Sequence, residues 1–385
     1  MQTVGFKGLG LALAMLGALT APGWAQEFDT KAPFALLMDY QSGTLLFHKN
    51  ADERLEPASM AKLMTVAVVF DELQQGRLSM SDEFFISEKA WREGGAASGG
   101  STMFAELNSS VSVGDLLRSV IIQSGNDAAI ALAEGIGGSE ATFASMMNRL
   151  GAEIGLTNSN FVNSTGLPDP NQYSTARDLA TIGRFIIAQF PEYYPMFAEP
   201  EFTWNGIRQA NRNSLVEMGI GVDGLKTGHT QAAGYGSVVS TTASGRRLIA
   251  VLHGLQSMNE RAEEARKLVT WGTRGFELIP VFAAGEIVAH ANVYGGLQPQ
   301  VGLVGKNDID LYIPRGAENC PTATVTYTGP LRPPVAEGAQ VAKLNVICND
   351  VVVQVTPLYA AEAVAEGDIV RKATDALKEL ALGWL

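Results

Sequence analysis

Two short apolar runs near the start of the chain, residues 34–40 and 44–48, lie on either side of the turn sequence Gln41-Ser42-Gly43. Strand-length apolar runs around such a turn predict a β-hairpin. Pro57 and several small residues follow, and they lead into an apolar run over residues 63–70 that predicts a buried helix. The chain is therefore expected to pass from a hairpin directly into a core helix.

The middle of the chain repeats apolar residues at helical spacing. Helices are predicted over residues 113–122, 128–134 and 139–155, and another begins at residues 174–178. Before them, the stretch rich in glycine, alanine and serine at residues 94–102 is either a mobile flap over a site or an ordinary connector. These elements predict a helical layer between the two ends of the first domain.

Strand-like runs return over residues 234–240 and 247–252. A long helix is then expected from about residue 259 to residue 278, closed by Pro280. Strands at both ends of this region and helices between them predict an α+β domain over residues 26–280.

A small all-β domain is predicted over residues 281–359, where short apolar runs are separated by glycine, proline and asparagine. The chain then ends in a predicted helix, residues 360–385. Its apolar residues form one stripe that includes Trp384, which suits a bilayer interface. Because the polar face is only weakly basic, contact with a membrane and packing on the β domain both stay open.

Length, charge and the N-terminal sequence narrow the function classes. A chain of 385 residues is long enough for two domains, and a net charge of -12 argues against nucleic acid as a partner. Residues 1–25 are typical of an export signal: Lys7 precedes a short apolar run, and Gly23-Trp24-Ala25 offers a cleavage site. The mature chain is therefore expected to begin at Gln26 and to act outside the cytoplasm.

The cysteines and three of the histidines do not indicate a catalytic or metal-binding role. Export would permit Cys320 and Cys348 to pair, and a disulfide is hypothesised, with two unrelated thiols nearly as well supported. His48, His253 and His290 have no partners at metal-ligand spacing, so structural roles are expected for them. No metal or cofactor is predicted.

Ser59 and Lys62 are the candidate reactive pair. Residues at i and i+3 share a helix face, so the hydroxyl and the amine are expected side by side. A serine hydroxyl needs a neighbour to take its proton, and a lysine buried among apolar residues has its ammonium form disfavoured by desolvation. The pair predicts a nucleophile with its base, but Ser-x-x-Lys alone is too short to decide a function.

Two further motifs follow in order along the chain. Ser124-Gly125-Asn126 lies at the end of a predicted helix, and Lys226-Thr227-Gly228 lies between strand-like segments. Ser-x-Asn recurs at Ser257-Met258-Asn259, whereas Lys-Thr-Gly occurs once. The ordered set of three motifs is typical of penicillin-binding proteins and related β-lactamases.

On these motifs the chain resembles the low-molecular-mass penicillin-binding proteins that are D-alanyl-D-alanine carboxypeptidases. The resemblance extends from residue 34 to the C-terminus, and it is carried by residues 57–64, 101–104, 123–128, 173–179, 211–213, 222–230 and 233–235. It implies a β-lactamase/transpeptidase-like catalytic domain, with an antiparallel sheet flanked by helices. It also implies a periplasmic enzyme, held on the inner membrane by its last helix, that removes the terminal D-alanine from peptidoglycan stem peptides and is acylated by β-lactams.

The resemblance agrees with roles that can be argued for the motif residues. Ser59 would form the acyl-enzyme, Lys62 would act as its base, and Ser124 would relay a proton to the departing D-alanine. Asn126 would hold Lys62 and the substrate amide. The family pattern implies that the N–H groups of Ser59 and His229 face the developing oxyanion.

Substrate binding is expected beside the third motif. Lys226, Thr227 and Gly228 are predicted on an edge strand, where an extended peptide can pair with the backbone. Thr227 and Arg261, an arginine that matches the family, are candidates for holding the D-alanine carboxylate. Arg212 is expected to have a structural role instead.

Two other functions remain open on the sequence. A β-lactamase would hydrolyse the acyl-enzyme quickly, and class A enzymes use a loop glutamate for that step. The sequence shows no convincing counterpart between Asn126 and Lys226, and the extra β domain is unusual for a lactamase. A penicillin-binding scaffold without turnover is the other alternative, and the three intact motifs argue against it.

Overall fold

The computed structural model describes residues 2–5, 28–243, 245–315, 322–348 and 351–382. The chain divides into two compact units. The first comprises residues 28–38 and 48–273, and the second contains residues 39–47 and the chain from residue 274 onward.

The described chain contains both strands and helices, each numbered in chain order. The strands are β1 (Gln2–Gly5), β2 (Phe34–Asp39), β3 (Leu45–Lys49), β4 (Glu83–Phe85), β5 (Ser110–Ser112), β6 (Glu201–Trp204), β7 (Ile207–Ala210), β8 (Val222–Thr230), β9 (Gly234–Ala243), β10 (Arg246–Leu255), β11 (Phe276–Phe282), β12 (Ile287–Asn292), β13 (Gln300–Val304), β14 (Ile309–Pro314), β15 (Thr322–Tyr327), β16 (Gln340–Cys348) and β17 (Val351–Ala360). The helices are α1 (Lys62–Gln74), α2 (Val113–Arg118), α3 (Asn126–Gly137), α4 (Glu140–Glu153), α5 (Ala176–Gln189), α6 (Met258–Arg274) and α7 (Ile369–Leu382).

The first unit is built on a sheet of strand order β2-β10-β9-β8. β10 and β8 both pair antiparallel with β9, and β8 lies at the end of the order. The helices α1 to α6 follow or interrupt these strands along the chain. The predicted α+β class, with an antiparallel sheet flanked by helices, is confirmed.

Helix α1 forms the centre of the first unit's core. Its residues from Lys62 to Phe70 are all buried, so the helix has no solvent face over its first two turns. A helix that is apolar almost all round packs inside other elements rather than on a surface. The expected buried helix is therefore present, and it begins at Lys62, directly after a 3-10 turn over Ala58–Ala61.

The long helix predicted up to residue 278 was wrong at its end. α6 stops at Arg274, and Phe276–Phe282 is strand β11, paired antiparallel with β14. Pro280 lies within that strand, where the pairing register shifts. Proline is tolerated at such irregular positions of a two-stranded sheet, so it does not mark a helix end here.

The second unit contains the small β domain that was predicted. β15, β16 and β17 are neighbours in one antiparallel sheet, and β12 and β13 form a hairpin beside them. Its core is a cluster of buried aliphatic side chains with one tyrosine, Tyr327. The last helix, predicted over residues 360–385, is observed as α7, Ile369–Leu382. It begins later than predicted, since the chain still belongs to β17 at Ala360.

Some sequence predictions lie outside the described residues. Of the export signal, only β1 is described, and it pairs with β15. Cys320 is not described, nor is the side chain of Cys348, so their pairing stays a prediction. Among the described residues, no helix is long and apolar enough to cross a membrane.

The core around α1 generates a stability prediction. Phe70 is fully buried and packs against the rings of Phe190, Tyr193 and Phe197, with centroids 5.1–6.4 Å away. We expect Phe70→Ala to destabilise the folded protein by about 3–5 kcal/mol, because the lost ring leaves a cavity. Phe85→Ala, at a ring that is 54% exposed, is the control. Similar melting midpoints for both variants would contradict the prediction.

Candidate active site

Ser59 lies on the 3-10 turn that leads into α1, and two glycines allow neighbouring segments to approach this turn. A Cβ on Gly228 of β8 would lie 3.1 Å from the Pro57 carbonyl oxygen and 3.2 Å from the Met60 nitrogen. Gly166 has a φ of +78°, and a Cβ there would collide with the Ala58 carbonyl. The turn is therefore enclosed between β8 and the loop that contains Gly166.

The Lys62 amine contacts three oxygen atoms. Its Nζ lies 3.1 Å from Ser59 Oγ, 2.7 Å from Asn126 Oδ1 and 2.5 Å from the carbonyl oxygen of Thr165. The side chain is fully buried. The first two motifs therefore meet at the Lys62 amine. Their order along the chain does not by itself predict this contact.

Burial, and then the nearby charge of Arg212, lowers the pKa of Lys62 to about 7. Asp127 and Glu140 act in the opposite direction. An ammonium group in a dry environment loses its hydration, so the neutral amine is favoured. Near neutral pH a substantial fraction of Lys62 is therefore able to accept a proton.

The Ser124-Gly125-Asn126 segment turns sharply between two helical segments. Ser124 has a φ of +70°, a left-handed conformation that non-glycine residues seldom adopt outside over-determined sites. Its Oγ is buried, and among the described residues it has no hydrogen-bond partner. Asn126 begins α3, with its backbone N–H donating to the Ser101 carbonyl. The turn thus carries one buried hydroxyl without a partner among the described residues and, at Asn126, the amide whose oxygen contacts Lys62.

Asp127, next to Asn126, fixes the segment that precedes the turn. Its buried carboxylate accepts bonds from the Thr102 hydroxyl at 2.5 Å, from the Met103 N–H at 3.0 Å and from the Ala105 N–H at 3.3 Å. Burial raises the pKa of this carboxyl, and the donated bonds oppose that change. The loop that was predicted as a flap or a connector ends at this anchored segment.

The third motif, Lys226-Thr227-Gly228, lies on β8, and all three of its residues are buried. Lys226 and Thr227 are only 1% and 5% exposed, and Lys226 Nζ donates to the Thr227 carbonyl at 3.1 Å. Burial lowers the pKa of Lys226 well below its usual value, and the charges of Lys62, Arg212 and Arg261 lower it further. The close approach of Gly228 to Pro57 and Met60 places the third motif beside the first.

His229 and Arg261 lie at the periphery of this group. His229 is exposed, and its ring stacks on Tyr235 with centroids 3.9 Å apart. Arg261 is buried and donates to the Arg212 carbonyl at 3.1 Å. Burial, and then the charge of Arg212, lowers the pKa of Arg261 to about 10. Arg212, expected to be structural, thus contributes charge to the site.

Sequence reasoning missed several parts of this arrangement. The Thr165 carbonyl is a backbone group, so no residue type signals it. Asp127 and Glu140 lacked a role because their partners are far away in sequence. Within the described part of the chain, no group of three His, Cys, Asp or Glu side chains is placed to bind a metal.

A serine beside a buried lysine at the start of a central helix, next to a strand carrying Lys-Thr-Gly, defines the class of penicillin-binding serine enzymes. Residues 21–257 match the family model described as D-alanyl-D-alanine carboxypeptidase. Residues 276–366 match the model described as penicillin-binding protein 5, C-terminal domain.

Comparison with individual proteins indicates the same family. The chain is 39% identical to the D-alanyl-D-alanine carboxypeptidase DacC of Escherichia coli, over 94% of this chain and 92% of that protein. It is similar to penicillin-binding protein 5 of Haemophilus influenzae, with a TM-score of 0.69, 40% identity, and coverage of 91% and 100% of the two chains. It also resembles ampicillin-bound penicillin-binding protein D2 of Listeria monocytogenes, with a TM-score of 0.56, 26% identity, and coverage of 64% and 98%.

The chain belongs to the D-alanyl-D-alanine carboxypeptidase family. The predicted enzyme class, a serine carboxypeptidase of the penicillin-binding type, is confirmed with it.

The anchored segment beside the site generates a second prediction. We expect Asp127→Asn to destabilise the protein by about 1.5–3 kcal/mol, because the amide places donors against the N–H groups that the carboxylate accepts. The free energy of unfolding, measured by denaturant titration, checks it. Asp29→Asn, at an exposed position, is the control. An Asp127→Asn variant as stable as this control would contradict the prediction.

Proposed function

We propose that Ser59 is the nucleophile and Lys62 the base of a D-alanyl-D-alanine carboxypeptidase reaction on peptidoglycan stem peptides. Ser59 attacks the carbonyl of the penultimate D-alanine, the terminal D-alanine leaves, and water hydrolyses the acyl-enzyme. The observation that carries the proposal is the 3.1 Å contact between Lys62 Nζ and Ser59 Oγ.

The hydrogen bonds of Lys62 support its role as the base. A neutral amine has two N–H groups and one lone pair. Asn126 Oδ1 and the Thr165 carbonyl accept the two N–H bonds, so the lone pair is left for the Ser59 hydroxyl. With a pKa of about 7, the amine takes the proton near neutral pH without a histidine or a carboxylate partner.

Ser124 is the proposed proton relay to the leaving D-alanine. Its buried hydroxyl has no partner among the described residues, although an unpaired buried hydroxyl is costly. A bound substrate nitrogen would supply that partner. The same role explains why a non-glycine residue is held in a left-handed turn at this point.

Residues of β8 and two arginines are proposed to bind the substrate. β8 is an edge strand, so its free side can pair with an extended stem peptide. Thr227 and Arg261 would receive the D-alanine carboxylate, with Lys226 and Arg212 adding positive charge nearby. The N–H groups of Ser59 and His229 would stabilise the oxyanion.

We also propose that β-lactams acylate Ser59. A β-lactam presents a strained amide and a carboxylate, and the same nucleophile and cations would receive them. The ampicillin-bound state of the Listeria relative supports this proposal. Rapid hydrolysis of that adduct, as in a β-lactamase, is not favoured, because Glu140, a carboxylate near Lys62, has both oxygens bonded to other side chains.

Benzylpenicillin labelling tests the assignment. We expect the wild type to gain one adduct that maps to Ser59, and Ser59→Ala to gain none. Release of D-alanine from a pentapeptide analogue should fall by at least about 1,000-fold in Ser59→Ala, because the covalent route is lost. Ser109→Ala, at a partly buried serine outside the site, is the control. An adduct on another residue, or full turnover by Ser59→Ala, would overturn the proposal.

We further propose a periplasmic location and peripheral attachment to the inner membrane through α7. Ile369 and Val370, at the start of α7, are 84% and 72% exposed. By contrast, the half-buried Asp375 of the same helix accepts a bond from the Gly295 N–H at 2.9 Å. A helix that turns a charged residue inward and apolar residues outward is typical of an interfacial helix.

Membrane fractionation tests the role of α7. Deletion of residues 366–385 should move the protein from the membrane pellet to the soluble fraction, because the exposed apolar face is removed. Ile369→Ser with Val370→Ser should weaken pelleting in the same direction. Ile287→Ser is the control, at an exposed apolar residue of β12. An unchanged pellet fraction for the deletion would count against the anchor.

A further inference from the structure

Glu140, the first residue of α4, connects two segments that border the active site. Its Oε1 accepts bonds from the backbone N–H of Ser164 at 3.0 Å and from the Ser164 hydroxyl at 2.9 Å. Its Oε2 accepts a bond from Lys89 Nζ at 2.6 Å. The carboxylate is largely buried, with 11% of the side chain exposed.

The first of these segments leads to the catalytic amine. Ser164 is followed by Thr165, whose carbonyl accepts the bond from Lys62 Nζ. The Ser164 carbonyl in turn accepts the hydroxyl of Thr65, one helical turn after Lys62 on α1. Ser164 is thus held from two sides, by Glu140 and by α1, and this fixes the direction in which the next carbonyl points.

The second segment leads to the Ser124-Gly125-Asn126 turn. Lys89 directly precedes a short helical stretch, Ala90–Gly94. Gly94 lies so close to Asp127 that a Cβ there would collide with the Asp127 backbone. The Lys89–Glu140 ion pair therefore connects the segment that packs beside Asn126 and Asp127 with the segment that contains Thr165. Asn126 and Thr165 both accept N–H bonds from Lys62.

We propose that Glu140 is a positioning residue of the acylation step, which holds the Thr165 carbonyl against the Lys62 amine and sets the local charge that this amine faces. The proposal rests on the proposed role of Lys62 as the base. Glu140 itself is not a catalytic residue, because its oxygens contact Ser164 and Lys89 rather than the reacting hydroxyl.

Charged groups from three elements and from the loop after β7 face Lys62. Asp127 of α3 and Glu140 of α4 raise its pKa, while Arg212 lowers it. Lys226 of β8 is coupled to Lys62 as a like charge. Removal of the Glu140 charge would therefore disfavour the ammonium form of Lys62, whereas removal of Lys89 would leave the Glu140 charge uncompensated and favour it.

The test is the pH dependence of acylation by benzylpenicillin. The second-order rate constant of acylation is measured at each pH from the intact mass of the protein. The wild-type rate should rise with pH to a plateau, with a midpoint near 7 where Lys62 becomes neutral. Glu140→Gln keeps an oxygen for Ser164 but has no charge, so its midpoint should move down by about half a pH unit. Lys89→Met should move the midpoint in the opposite direction.

Glu153→Gln, at an exposed position at the other end of α4, is the matched control and should leave the midpoint unchanged. The midpoint does not depend on the fraction of active protein, so a merely structural role would lower the plateau without moving it. If Glu140→Gln does not fold, the direction of the midpoint shift in Lys89→Met alone tests the proposal. Unchanged midpoints, or shifts of both variants in one direction, would overturn the proposal. A wild type that is not acylated at Ser59 would overturn the proposed function instead.

Discussion

The structure depends on one buried amine whose hydrogen bonds are fully specified. Lys62 lies in the core of the first unit, where water cannot satisfy it, so protein atoms must do so. Asn126 Oδ1 and the Thr165 carbonyl act as acceptors, and the third contact is the Ser59 hydroxyl. Because burial favours the neutral amine, the side chain that the fold has to satisfy is also the one that we propose as the base of the reaction.

This requirement accounts for the unusual backbone around the site. Ala58, which directly precedes Ser59, and Ser124, two residues before Asn126, both have positive φ values. Such conformations cost free energy and persist only where surrounding contacts over-determine them. Here Gly166 and Gly228 let two segments press against the Ser59 turn, and Asp127 anchors the chain before the Ser124 turn.

The sequence predicted the parts of the site that depend on residue type and local spacing. Ser59 and Lys62 were paired from a three-residue interval, and Lys226-Thr227-Gly228 was placed on an edge strand from the strand pattern around it. The Thr165 carbonyl could not be predicted, because a backbone acceptor has no residue signature. Nor could the end of α6, since Pro280 is compatible with both a helix end and an irregular strand, and only the pairing with β14 decides between them.

The charges around Lys62 link the strength of the base to the recognition of substrate. Lys226 and Arg261 are both buried, and the pKa of each is lowered mainly by burial. Cations kept this dry are costly unless an anion joins them. A peptide that ends in a carboxylate meets that need. Lys226 is also coupled to Lys62 as a like charge. We therefore propose that the positive charge beside the amine contributes both to proton transfer and to the choice of a substrate with a free C-terminus.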